Sequence, residues 1–279
     1  MDGDRIDLRG AQATTLLTLY LRAVDARSAR PILGDRWAVD VMDRVDRRAD
    51  TRGFALARSD APTIACRGRT LDTWAREFLG EHPDGQVLHL GCGLDSRPLR
   101  ISRLAASRWI DVDQPDVITL RRKVYALPPD VETVAASVTD PDWWSVLDAD
   151  RRTLAVAEGV LPYLAEAEVH ELVDRLVAHT RGGILVFDGI APWAVAVAGR
   201  TPTFQRMGAA LHWAYRADAF AARHPGLVRR DAVGVLGLVA EAAPQAWIRV
   251  VSSALRGLPP MRDAVQTLRY TWSENDAPA

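Results

Sequence analysis

The chain has 279 residues, of which 48% are hydrophobic and 25% are charged, and its formal net charge is −1. This composition is typical of a globular protein with one large α/β domain or two small ones. The balanced charge excludes the strongly basic surface that a nucleic-acid partner requires and the acidic run of a disordered tail.

Cysteine content and hydropathy predict a protein of the cytoplasm that binds neither a membrane nor a metal. The two cysteines, Cys66 and Cys92, match no zinc spacing and predict no disulfide framework. The N-terminal residues are charged and lack the apolar core of a signal peptide. No apolar run approaches the roughly 20 residues that a membrane-spanning helix needs.

The first 80 residues have helical spacing and no strand pattern. The predicted elements are a helix at 11–29, a helix that starts at the N-cap Asp35, an irregular loop at 49–69 that carries Arg67, and a helix at 70–80. We therefore expect residues 1–80 to form an N-terminal helical extension or lid, followed by a main domain at 81–279.

From residue 86 onward, short apolar strands alternate with helices. Strands are predicted at 87–90, 108–112, 133–136, 153–157, 183–187, 227–235 and 266–272, and helices at 98–106, 117–126, 142–147, 166–179 and 244–256. This alternation predicts an α/β fold, a mostly parallel sheet with helices on both faces. The last two strands are expected to pair antiparallel at the sheet edge. Residues 190–226 interrupt the pattern and are interpreted as a cap over the ligand-binding end.

A glycine turn follows the first strand in the stretch QVLHLGCGLDSR. Gly91 and Gly93 allow the backbone to approach a ligand closely, and the helix that opens near Asp95 directs free N–H groups towards it. Ser96 stands where the dinucleotide fingerprint has its third glycine, which favours a nucleoside smaller than NAD. The alternative is a tight strand–helix turn without a ligand. Cys92 is interpreted as a packing residue.

Two carboxylates near the end of the second strand lie about 20 residues beyond the glycines, where ribose hydroxyls are bound in such folds. Asp111 and Asp113 point to the same side of the strand, so spacing does not choose between them. Asp113 is preferred because it lies nearer the open edge of the sheet. The alternative is that Asp113 or Asp116 caps the next helix.

A third carboxylate, Glu158, follows the fourth strand at the edge where α/β sheets bind ligands. It could contact the ligand, stabilise a cationic centre or abstract a proton. The alternative is a plain acidic residue at a helix N-terminus.

Three segments in this order, LHLGCGLDSRPLR, WIDVDQPDVITLRRK and AVAEGVLPYL, resemble successive motifs of the leucine carboxyl methyltransferase-like family. The similarity covers most of the chain and is closest to the bacterial polyketide O-methyltransferase branch. It implies a class I S-adenosylmethionine-dependent O-methyltransferase with a Rossmann-like, seven-stranded sheet.

The resemblance also implies roles for individual residues. Arg67 resembles the arginine that pairs with the methionine carboxylate of the cofactor, and Arg22 is similar to a basic residue that approaches the same group. Gly91 and Gly93 would lie under the methionyl and ribose parts. Asp113 would accept the ribose hydroxyls, and Glu158 would lie beside the cofactor.

The adenine contacts are less defined. Ser137 and Val138 follow the third strand, where the family contacts adenine. The adenine amine could meet Ser137, the backbone or Asp140. No metal is implied.

The acceptor implied by the resemblance is a small molecule, a polyketide or other secondary metabolite, methylated on a carboxyl or phenolic oxygen. A carboxylate needs no base, whereas a phenol would use His212, Tyr215 or Glu158. Four residues of the cap are candidates for an apolar acceptor site, with packing in the cap as the alternative: Trp193, Phe204, Met207 and Trp213. For His212 the alternative is a packed or surface histidine.

Two competing functions stay open at this point. One is an NAD(P)-dependent oxidoreductase on the same type of sheet, and the other is a homologue that binds the cofactor without catalysis. A protein carboxylate is a further possible acceptor, and the chain could act as a monomer or a homodimer.

Overall fold

The computed structural model describes residues 11–44, 54, 57–201 and 210–273. Their strands form one seven-stranded sheet in the order β3-β2-β1-β4-β5-β7-β6. The strands are β1 (Gln86–Leu90), β2 (Arg108–Asp113), β3 (Val131–Ala135), β4 (Thr153–Ala157), β5 (Gly182–Ile190), β6 (Val228–Gly234) and β7 (Val265–Ser273). The first five strands pair in parallel, and β7 pairs antiparallel with both β5 and β6. The predicted fold class and the antiparallel pairing of the last two strands are confirmed.

A 3₁₀ helix at Trp143–Val146 connects β3 to β4, whereas the α-helices of the described residues precede β1, follow β1, β2 and β4, and recur between β5 and β7. They are α1 (Ala11–Ala26), α2 (Arg36–Arg44), α3 (Ala61–Glu81), α4 (Arg97–Arg100), α5 (Pro115–Val124), α6 (Glu166–Ala178), α7 (Pro192–Ala198), α8 (Ala217–Arg223), α9 (Val235–Ala242), α10 (Ala246–Arg256) and α11 (Pro259–Arg262). None of those described is long and apolar enough to span a bilayer.

Successive side chains of a strand point to opposite faces, and each face of this sheet has its own core. Val87 packs with Leu71 and Phe78 of α3 on one face. Leu88, the next residue of β1, packs with Leu172 of α6 on the other. Since both faces are covered, the central strand β4 is fully buried and almost entirely apolar. Their carboxyl ends meet at one edge of the sheet, which is where the candidate site lies.

The region before β1 differs from the prediction. The predicted loop at 49–69 is wrong over its second half, because α3 runs without a break from Ala61 to Glu81 and places Arg67 on a helix. Small residues such as Ala65 and Cys66 weaken the helical pattern in the sequence. They are buried against Val235 and Val239 of α9, so tertiary packing stabilises the helix.

Two further elements differ in length or position. The helix predicted at 98–106 ends after four residues, because Ile101 is extended and packs with Trp109 in the core beside α3. The eight-residue helix α9 was missed, since its apolar run reads as the end of the preceding strand. Asp35 caps α2 as predicted, accepting the amide of Ala38 at 3.1 Å.

Candidate active site

A cavity of about 170 Å³ lies at the carboxyl ends of β1, β4 and β5. Its walls come from α1, α3, the glycine loop and the turn that follows β4. Five residues predicted for cofactor binding line it: Arg22, Arg67, Gly91, Gly93 and Glu158. Side chains that are separated by up to 136 residues in the chain therefore meet in one place.

The glycine loop has the left-handed conformation that glycine adopts without strain. The φ angles are +55° at Gly91 and +50° at Gly93. A Cβ atom on Gly91 would lie 2.3 Å from a methyl carbon of Val160, and one on Gly93 would lie 3.2 Å from the Thr15 methyl. Glycine is thus favoured at both positions because side chains of the protein itself lie close to the loop backbone.

Asp113 lies beside this loop. Its Oδ2 accepts the Gly93 amide at 2.6 Å and its Oδ1 accepts the amide of Gln114 at 2.7 Å. Burial raises the pKa of Asp113, although both amides lower it. Asp113 does not line the cavity itself, but it is hydrogen-bonded to a residue that does.

Asp111, the competing carboxylate, is fully buried and has other partners. His89 and the indole of Trp109 approach its Oδ1 at 3.1 and 2.9 Å, and Arg121 binds its Oδ2. These contacts hold the pKa of Asp111 below its usual range against the opposing effect of burial. Asp111 is therefore occupied by partners within the protein, and the assignment of Asp113 to the ribose stays a prediction.

Glu158 is surrounded by three guanidinium groups. Its Oε1 accepts from Arg22 at 3.0 Å and from Arg67 at 3.1 Å, and its Oε2 accepts from Arg97 at 2.5 Å. Burial alone would raise the pKa of Glu158, but the arginines together lower it far below its usual range. A carboxylate in this state is a poor proton acceptor and a good structural anion.

Asp188, near the end of β5, is a site residue that the sequence reasoning missed. Its Oδ2 accepts from Arg67 Nη1 at 3.1 Å, and its Oδ1 accepts the amide of Gly159. Burial raises the pKa of Asp188, and Arg67 offsets this only in part. Asp188 follows an apolar run just as Glu158 does, so the signal that identified Glu158 was also present here.

Asp95 and Arg97 extend the same network and were also missed as site residues. Asp95 lines the cavity and pairs with Arg22 at 3.1 Å. Arg97 is completely buried and pairs with Asp95 at 3.1 Å and with Asp72 at 2.7 Å. The cavity is thus bordered by buried charges of both signs.

Other predicted residues lie away from the cavity lining. His212 is exposed, and its amide donates to Pro162 at 2.8 Å. The hydroxyl of Tyr215 is buried against that of Tyr270 at 2.6 Å. Ser137 and Val138 follow β3 and do not line the cavity either.

The predicted acceptor residues are only partly described. Trp213 packs in the core against Phe187 and does not line the cavity. Trp193 lies on α7 with 37% of its surface exposed. Phe204 and Met207 fall outside the described residues.

Cys92 is buried, and burial raises the pKa of its thiol well above the usual value, in agreement with a packing role. Within the ranges that the structure describes, no group of three acidic, histidine or cysteine side chains is arranged to hold a metal ion.

The strand order, the glycine turn after β1 and the acidic residue at the end of β2 together define a class I S-adenosylmethionine-dependent methyltransferase fold. Solved structures have the same fold: a candidate methyltransferase from Thermobifida fusca superposes with a TM-score of 0.57, covering 91% of this chain and 94% of that one at 19% identity. The chain belongs to the leucine carboxyl methyltransferase family, whose model matches residues 15–177.

Two relatives match over almost their whole length. The tetracenomycin polyketide synthesis O-methyltransferase TcmP of Streptomyces glaucescens is 38% identical, covering 97% of this chain and 100% of its own. The S-adenosyl-L-methionine-dependent methyltransferase dpfgK of Gibberella zeae is 33% identical, covering 89% and 90%. The predicted family and branch are confirmed, and the oxidoreductase alternative is left without support.

Proposed function

We propose that this S-adenosylmethionine-dependent methyltransferase methylates an oxygen atom of a small acceptor, and that the oxygen belongs to a carboxylate on a polyketide-like or other secondary-metabolite acid. The observation that carries the proposal is the whole-length similarity to a polyketide O-methyltransferase. The electrostatics of the site support the carboxylate.

The residues of the cavity fit the amino-acid end of S-adenosylmethionine, which carries one carboxylate and one ammonium group. Arg22 and Arg67 are cations for the carboxylate, and Asp95, Glu158 and Asp188 are anions for the ammonium. Arg22 is 4% exposed, and its Nε is buried without a hydrogen-bond partner among the described residues. That orphaned donor is what a site for an anionic ligand group would leave.

We also assign residues to the ribose, the nucleoside backbone contact and the adenine of the cofactor. Asp113 binds the ribose hydroxyls, and Gly91 and Gly93 pass under the nucleoside. Ser137 and Val138 contact the adenine from the end of β3. When bound, S-adenosylmethionine supplies a methyl group that its sulfonium centre makes electrophilic.

The choice of a carboxylate acceptor rests on the candidate bases. Glu158 is saturated by three arginines, the hydroxyl of Tyr215 is bonded to Tyr270, and His212 is exposed. An acceptor that is already ionised needs none of them. The residues' task is then to hold the acceptor oxygen in line with the methyl group and to keep water out.

A phenolic acceptor is the second candidate, and one observation favours it. Asp188 lines the cavity, and its raised pKa suits a proton acceptor better than that of Glu158. Tyr163, whose pKa is also raised by burial, lines the same cavity.

Three matched acceptors distinguish these possibilities: an aromatic polyketide carboxylic acid, its methyl ester, and a phenol without the acid. With methyl-labelled S-adenosylmethionine, we expect label in the free acid as an alkali-labile ester. The rate should be nearly constant between about pH 6 and 9, because the carboxylate is ionised throughout. Alkali-stable label on the phenol, at a rate that rises with pH, would show that the acceptor group is a phenol and not a carboxylate. Cofactor binding without transfer to any acceptor would instead favour a non-catalytic homologue.

The ribose assignment predicts the effect of Asp113→Ala. Loss of this half-buried acceptor should weaken S-adenosylmethionine binding by about 1–3 kcal/mol, measured by titration calorimetry. Asp116→Ala is the matched control, since Asp116 is exposed in the first turn of α5 and its Oδ1 accepts the amide of Val117. If Asp113→Ala and the wild type bind the cofactor with equal affinity, another residue binds the ribose.

A further inference from the structure

Side chains of α5 and its C-cap bind three consecutive carbonyl groups of the glycine loop. Arg121 Nη1 donates to the carbonyl of Gly93 at 3.0 Å and to that of Asp95 at 2.7 Å. The hydroxyl of Tyr125 donates to the carbonyl between them, that of Leu94, at 2.7 Å. We call Arg121 and Tyr125 the carbonyl clamp.

The clamp is itself fixed in place. Arg121 is fully buried and binds Asp111 Oδ2 through Nε at 2.9 Å and through Nη2 at 2.7 Å. Tyr125 is 6% exposed, and burial raises the pKa of its hydroxyl, which therefore stays a hydrogen-bond donor. Neither donor can exchange its carbonyl for bulk water without a rearrangement of the loop.

This arrangement sets the direction of the loop's amides. In a planar trans peptide the N–H points opposite to the C=O, so carbonyls turned towards α5 direct the next amides away from it. The amide of Gly93 is held separately by Asp113, two residues before α5 begins. The unit formed by β2 and α5 thus binds the loop both through its carbonyl groups and through the amide of Gly93. The same unit carries Asp113, the carboxylate assigned to the ribose.

We infer that Arg121 and Tyr125 are positioning residues for the cofactor, which set its affinity through the glycine loop without lining the cavity themselves. The inference rests on the cofactor placement proposed above. It is separate from that placement because Arg121 and Tyr125 bind backbone carbonyls of the loop and do not line the cavity themselves.

The test is Tyr125→Phe, which removes one hydroxyl and keeps the ring. We expect the affinity for S-adenosylmethionine to fall about 3- to 10-fold, the scale of one buried hydrogen bond. The KM for the cofactor should rise by the same factor, while kcat at saturating cofactor stays within about twofold. Amide hydrogen exchange in the loop should become faster.

Tyr270→Phe is the matched control, because it removes a buried hydroxyl that bonds Tyr215 and belongs to the sheet core. It should lower stability comparably and leave cofactor affinity unchanged. Equal affinities of Tyr125→Phe and Tyr270→Phe would overturn the inference, since the loss would then be only structural.

A second variant tests the role of Arg121. Arg121→Lys keeps a cation near Asp111 but cannot span two carbonyls, so we expect a larger loss of affinity in the same direction. Asp113→Ala measured in the same assay separates the two proposals. If Asp113→Ala weakens cofactor binding and both clamp variants do not, the inferred role of the carbonyl clamp is wrong and the proposed cofactor placement stands. If none of the three changes affinity, the cofactor placement is wrong as well.

Discussion

Replacing Arg67 with methionine is expected to reduce S-adenosylmethionine binding by about 100-fold and to lower the free energy of unfolding by about 3–5 kcal/mol. Arg67 binds Glu158 at 3.1 Å and Asp188 at 3.1 Å, and both carboxylates are buried. Among the described residues, its removal leaves Asp188 without an ion-pair partner, and it takes from the cavity a guanidinium assigned to the cofactor carboxylate.

Calorimetry and chemical denaturation measure the two effects separately. Arg69→Met is the control, because Arg69 lies two residues further along α3 and is exposed. Adding Asp188→Asn to Arg67→Met removes the stranded charge, so stability should recover in part while binding stays weak. Recovery of binding in the double variant would show that Arg67 acts only as the partner of Asp188.

Replacing Gly91 with alanine is expected to lower the free energy of unfolding by about 2–5 kcal/mol and to weaken cofactor binding with it. A left-handed φ of +55° costs an alanine about 1–2 kcal/mol. The new methyl group would also lie 2.3 Å from Val160, a steric conflict worth about 1–3 kcal/mol.

A double-mutant cycle separates the two causes. Val160→Ala removes the atom in conflict, so Gly91→Ala should cost only its backbone strain in that background, and a coupling of about 1–3 kcal/mol is expected. Gly80→Ala, in an exposed position of α3 with nothing within 4 Å of the added carbon, should instead stabilise the chain slightly. Absence of coupling would mean that Val160 moves aside freely.

Sequence predicted the sheet well because its strands are short, apolar and bounded by turns. The boundaries of β4 match the prediction, and the acidic residues at strand ends lie at the edge where they were expected. Gly91, Gly93 and Glu158 line the cavity, since strand-end residues of a parallel sheet meet whatever the connections between them.

The parts that sequence could not predict depend on tertiary pairing. Arg97 and Glu158 are 61 residues apart, and no local pattern indicates that a buried arginine will meet that carboxylate. The sequence predicts a loop around Arg67, because the helix that carries it is stabilised by packing against α9 and not by its own periodicity. Trp213 and Tyr215 have the composition of a ligand pocket, but their burial against Phe187 is decided by how the segment after β5 folds back.

The position of β7 between β5 and β6 has a consequence for synthesis of the chain. β5 pairs with β7 along nine residues, and in the described sheet β6 pairs with β7 alone. While a ribosome adds the more than 80 residues that separate Ile190 from Ser273, one edge of β5 has no partner. At roughly 5–20 residues per second this interval is on the order of ten seconds. During it, the nascent sheet offers unpaired backbone groups to other chains, so chaperone demand should peak just before the last strand emerges.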